Sequence, residues 1–96
     1  MAAHDIFWQL QAQVEEMESQ TDEGHSVAIY VYTPSGEQLR VSNIDLLDAE
    51  TLSLRGQGEQ QSDQFRLVTH YSSAQFYLWV ISEDEPSAIV FNNQAG

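Results

Sequence analysis

The 96-residue chain carries three arginines, no lysine and fifteen aspartates and glutamates, a formal net charge of −12. A protein that grips nucleic acid neutralises phosphates with Lys and Arg, typically through about six to ten contacts. Arg40, Arg55 and Arg66 do not supply that grip from one subunit, and the same sign argument disfavours sulfated polymers and anionic membranes.

Hydrophobic residues make up 42% of the chain, with two Trp, four Tyr and four Phe, too apolar a mixture for a disordered acidic tail. The length provides one modest core. Without cysteine there is neither disulfide nor thiolate chemistry, which suits a reducing compartment. The chain shows no secretory leader pattern and no run of the ~18 apolar residues that a membrane span requires. The expectation is a soluble, cytoplasmic protein. An acidic excess without lysine also accompanies adaptation to high salt, so the charge reports habitat as readily as partner.

The spacing predicts one amphipathic helix over residues 5–19. Ile6, Phe7, Leu10, Val14 and Met17 recur three and four residues apart and share a stripe, whereas Gln9, Gln11, Gln13, Glu15, Glu16 and Glu18 lie mostly opposite. Asp5 is the expected N-cap, and Gly24 the expected stop. From Val27 the period becomes two: Val27, Ile29 and Val31 face one way, and Ala28, Tyr30 and Tyr32 the other. Thr33-Pro34-Ser35-Gly36 is a turn, because proline sets φ and glycine tolerates the left-handed region. A second strand runs through Leu39, Val41, Ile44 and Leu47. Asp48-Ala49-Glu50 reverses the chain, and Leu52 and Leu54 continue it. Residues 56–64, GQGEQQSDQ, read as an exposed loop.

Residues 65–69 and 75–82 complete five strands. The last alternates Phe76, Leu78 and Val80 with Tyr77, Trp79 and Ile81, apolar on both faces. Two-sided burial in so small a domain implies a closed barrel or a subunit interface, which nominates Phe76, Leu78, Trp79, Val80 and Ile81 as interface residues. Glu83-Asp84-Glu85-Pro86 ends that strand. The domain is taken as residues 1–85. Residues 86–96 form a tail in which Ile89, Val90 and Phe91 make an apolar island suited to docking on the barrel.

The order helix, strand, glycine turn, long bent strand, strand, loop, strand, strand resembles the Sm/Hfq-like small barrels. The likeness is carried by Val27-Ala28-Ile29-Tyr30-Val31 with Ser35-Gly36-Glu37-Gln38-Leu39, by Leu47 to Leu54, and by Thr69 to Ala74, where Hfq proteins carry a lysine-histidine pair. It implies a mainly β fold: an N-terminal helix followed by a five-stranded, strongly bent antiparallel barrel. Three departures bear on function. The glycine at which the family's second strand bends is replaced by Val41-Ser42-Asn43, one residue longer, where a bulge would serve. The family's base-stacking positions are Ala49 and Glu50, which stack on nothing, and its lysine is Thr69. Of the RNA-contacting motif only His70 remains, so the resemblance implies the fold and a ring rather than inherited RNA binding.

The candidate ligand-binding residues are His70 with Thr69 and Tyr71, set between two strands. The competing reading is a loop histidine satisfied by nearby hydroxyls. His4 and His25 match no metal-ligand spacing, and Asp45, Asp48 and Glu50 lack the calcium-loop pattern, so neither a metal nor a cofactor is expected. Ser72-Ser73 beside His70 lacks a nucleophile turn and an orienting acid. GQGEQQ has no lysine to cradle phosphate. The aromatic set, without cations around it, serves core and interface better than base stacking.

The leading functional expectation is a non-catalytic, homo-oligomeric Sm-like module that acts through protein contacts, with RNA binding weak or lost. The alternative is an acidic protein, a nucleic-acid mimic or chaperone, that binds a basic partner through salt-sensitive attraction. A small enzyme has no residue constellation behind it.

Overall fold

The computed structural model describes residues 2–58, 63–82 and 89–94. The apolar stripe at the start forms helix α1 (Ala3–Ser19), which buries Ala3, Phe7, Leu10 and Val14. Ile6 and Met17 pack at its margin. The helix begins two residues before the expected start, and Asp5 is not its cap. Ala2 holds the cap position, and the Asp5 carboxylate, one turn in, accepts from the Ala2 backbone N–H at 2.9 Å. The Ala3 N–H donates to the Ala49 carbonyl at 2.8 Å, so a distant turn satisfies a helix-end donor and fixes where the helix starts.

Six strands follow: β1 (His25–Tyr32), β2 (Gln38–Leu46), β3 (Thr51–Gln57), β4 (Gln64–His70), β5 (Gln75–Ser82) and β6 (Val90–Asn93). Gly24, at φ +85°, turns the chain into β1. The Thr33–Gly36 turn closes as expected, the Gly36 N–H donating to the Thr33 carbonyl at 2.9 Å with Gly36 at φ +92°. The strands lie in the order β4-β3-β2-β1-β5, every neighbouring pair antiparallel. The architecture is therefore mainly β, one N-terminal helix on a bent antiparallel sheet.

The bend has a local cause. Val41 pairs with Gly56 and Asn43 with Arg55, so Ser42 is an extra residue in β2, the bulge expected at that position. Gly56 makes the fold-over sterically feasible. A Cβ there would stand 1.9 Å from the Arg40 carbonyl oxygen and 2.8 Å from the Phe65 ring. For the same reason the loop expected from residue 56 starts later: Gly56 and Gln57 belong to β3, and Gly56 is buried. Residues 59–62 of that loop lie outside the described residues.

Beyond the bulge β2 changes partner. Gln38–Val41 pair with β1, and Asn43–Leu46 pair in parallel with β6, so β1 and β6 share one side of β2 end to end. The apolar island thus docks as β6, with Phe91 opposite Ile44 and its ring 5.6 Å from that of Phe7. Residues 83–88, which include the expected strand stop, lie outside the described residues.

The core sits between α1 and the inner face of the sheet. Ile29, Val31, Ile44, Leu52 and Leu54 have no measurable exposure, and burying each large aliphatic stabilises by about 1.5–3 kcal/mol. One element of the barrel expectation differs: the outer strands β4 and β5 do not pair with each other, so the bent sheet is not closed. None of the described helices is long and apolar enough to cross a membrane.

A methyl group at Gly56 meets backbone, while one at Gly24 meets open space and only an unfavourable φ. Gly56→Ala is expected to cost about 3 kcal/mol and Gly24→Ala about 1 kcal/mol. Urea unfolding of the two variants checks the ranking.

Candidate functional site

Two connections meet at one end of the molecule. The β2–β3 turn (48–50) and the link from β4 to β5, a single 3-10 turn at Tyr71–Ser73, are joined by the Tyr71 N–H donating to the Glu50 carbonyl at 3.0 Å. His70, the last residue of β4, pairs with Thr51, the first of β3. The structure therefore brings His70 beside Asp48 and Glu50, about twenty residues earlier in the chain.

Each polar group there has a local duty. Asp48 is exposed, and its Oδ1 accepts the Glu50 N–H at 2.8 Å. That hydrogen bond, then the Thr51 hydroxyl, with a lesser contribution from the His70 charge, holds the Asp48 carboxyl below the ordinary aspartate range. His70 Nδ1 accepts the Ser72 N–H at 3.2 Å and lies 2.7 Å from the Ser72 hydroxyl. An Nδ1 engaged as acceptor leaves the neutral ring's proton on Nε2. The His70–Ser72 contact caps a turn, and the alternative of a histidine satisfied by local hydroxyls describes it.

The three residues nominated for ligand binding do not share one face. Thr69 pairs with Leu52 on the inner side of the sheet, its hydroxyl donating to the His70 carbonyl at 3.2 Å. His70 lies on the outer side and is exposed. Tyr71 packs partly against the core, its ring centroid 4.4 Å from that of His70.

The nominated interface strand is open. Among the described residues β5 hydrogen-bonds to β1 alone and β4 to β3 alone. Phe76 and Leu78 turn toward the core and are half-buried, as is Ile81. Tyr77, Trp79 and Val80 are 42%, 52% and 49% exposed. Tyr77 leans on Tyr32 edge-to-face at 4.8 Å. The described residues thus do not cover both apolar faces of β5. On β4, Phe65 and Leu67 are half-buried and Val68 is 57% exposed.

Sequence reasoning missed a polar network on the outer face. Asp45, grouped by sequence with Asp48 and Glu50, lies apart from them in β2 at 4% exposure. Arg55 donates to it from Nε at 3.1 Å and from Nη2 at 3.3 Å, and Asn92 of β6 donates from Nδ2 at 2.9 Å. The network joins β2, β3 and β6 opposite the apolar core. Its signal is the alternation itself: with Ile44 and Leu46 inward, Asp45 must point outward beside Arg55, just past the bulge.

No protein-family model matches the chain, and no curated protein or solved structure matches it significantly.

Arg55→Met leaves a buried carboxylate with only Asn92 and is expected to cost about 2–3 kcal/mol, less than a fully buried pair because the Arg55 side chain is 36% exposed. Adding Asp45→Leu should recover part of that loss in urea unfolding. Asp48 ionises more readily folded than unfolded, so its charge stabilises the fold above the ordinary aspartate range. That contribution is lost as pH falls through the depressed folded value. Asp48→Asn is therefore expected to be less stable than wild type at neutral pH and to converge on it in strong acid.

Proposed function

We propose that this chain is a non-catalytic, cytoplasmic, oligomer-forming module of Sm-like type that acts through protein contacts, with RNA binding weak or lost. The observation that carries the reading is the pair of open strand edges. Among the described residues, β4 and β5, seven and eight residues long, each present an edge of backbone donors and acceptors that no other strand pairs. Proteins that keep such edges solitary block them with lysine, proline, inward charge or a bulge. β5 has no charged residue, and β4 has only Arg66.

The two edges differ, so pairing β4 of one copy with β5 of the next is heterologous and propagates into a ring or a filament. Such pairing extends the sheet across the boundary and covers Val80 and Val68. The bend of β2 favours closure, because each copy turns the sheet direction before handing it on. The helix-first order and the Ser42 bulge where the family bends its second strand support the Sm-like assignment. Weak RNA binding follows from Asp48 and Glu50 beside His70, carboxylates that repel phosphate, and from Ala49, which offers no stacking surface.

Light scattering and native mass spectrometry are expected to find an assembly at micromolar concentration. Val68→Lys on β4 or Val80→Lys on β5 should shift it toward monomer with an unchanged circular dichroism spectrum. A wild-type chain that remains monomeric throughout overturns the proposal.

A further inference from the structure

The few cations of this acidic chain are gathered on the outer face near the bulge. Arg40 pairs in register with Gln57, and Arg55 stands directly opposite Arg66 on the neighbouring strand. Like charges opposed across an antiparallel pair repel. Asp45 relieves only one of them, since its carboxylate takes Nε and Nη2 of Arg55. Arg66 is exposed and forms no ion pair among the described residues.

Arg55 and Arg66 border a groove of about 440 Å³ whose other polar walls are Ser42, Asn43, Gln57 and Gln64. No carboxylate is among its described lining residues, in a chain with fifteen of them. The bulge shapes one wall. The Ser42 hydroxyl lies 3.1 Å from Asn43 Oδ1 and 3.2 Å from the Arg55 carbonyl, positioned to donate to either. With its oxygen so engaged, Asn43 keeps its amide N–H groups for another partner.

We propose that this groove binds one phosphate group carried on a small molecule, a phosphate monoester. The available donors are the free fork of Arg66, the unused N–H groups of Arg55 and the amides of Asn43, Gln57 and Gln64. A carboxylate has two oxygens, and a single guanidinium fork satisfies both. Three terminal phosphate oxygens are needed to engage two guanidinium groups and the amides together. Polymeric phosphate is excluded by the rest of the surface: a chain whose net charge is −12 even with the groove arginines counted repels each further phosphate.

The test is a titration of the full chain, at constant ionic strength, followed by the arginine Nε–H signals and the backbone amides in NMR. Inorganic phosphate and glycerol phosphate are expected to shift Arg66, Gln57 and Gln64 saturably, with Kd of about 1 mM. Arg66→Gln, an exposed change that leaves the remaining spectrum in place, should weaken binding at least about tenfold. Arg66→Lys, with charge but no fork, should fall between that variant and wild type. Shifts that do not saturate overturn the proposal, as does acetate reproducing them at equal concentration. A short single-stranded RNA that binds more tightly than glycerol phosphate also overturns it, in favour of a nucleic-acid site.

Discussion

The fold depends on one steric arrangement, the extra residue Ser42 in β2 lying across a glycine in β3. The Arg40 carbonyl approaches Gly56 so closely that no side chain fits there, and the bulge lets β2 change direction and partner within one strand. Without it, the nine residues of β2 would run straight beside β1, and the inner face would be too flat to wrap one short helix. The curvature lets Phe7, Leu10 and Val14 of α1 meet Ile29, Ile44 and Leu54 in a single cluster. Apolar burial supplies the energy, but the bulge decides the shape in which it is gained.

The same bend divides labour between the two faces. Inside, alternation places Val41, Ile44, Leu46, Leu52 and Leu54 in a dry core. Outside, Asp45 and Ser53 are also largely buried, and Asp45 is held by Arg55 and Asn92. A buried ion pair is weak evidence for stability, because desolvation offsets much of the attraction. Its value here is positional. It ties β6 to β2 and β3 by groups that accept one register, since a one-residue slip of β6 would exchange Asn92 for Phe91 on the outer side.

Much of this was legible in the residues. Period 3.6 in α1 and period two in β1 are strong signals, and the Pro-Ser-Gly turn has its own chemistry. The extra residue at Val41-Ser42-Asn43 pointed to a bulge. The end of β3 was not legible: Gly56 and Gln57 look like loop by composition, and only contact with Arg40 and Phe65 makes them strand. Asp5 looked like a cap because the sequence does not show Ala49 waiting to accept from Ala3. Of the candidate site, the proximity of His70 to Asp48 comes from β3–β4 register, which no local pattern encodes. Thr69, His70 and Tyr71 are neighbours in sequence, yet a strand end followed by a tight turn sends their side chains in different directions. The outer strand β5 presents the converse case. Its two apolar faces were plain, but whether another strand covers them is not a property of one chain.

The parallel seating of β6 on β2 also orders events in time. The ladders from β1 through β4 join strands adjacent in sequence, whereas Val90 reaches Asn43 across almost half the chain. Closing so long a loop is entropically costly and slow. On the same entropic grounds the central meander is expected to form ahead of both long-range ladders, β1 with β5 and β2 with β6. Until β6 docks, Phe7 keeps the Trp8 ring but lacks that of Phe91, and Asp45 lacks the Asn92 donor, which leaves a soft seam along the far half of β2.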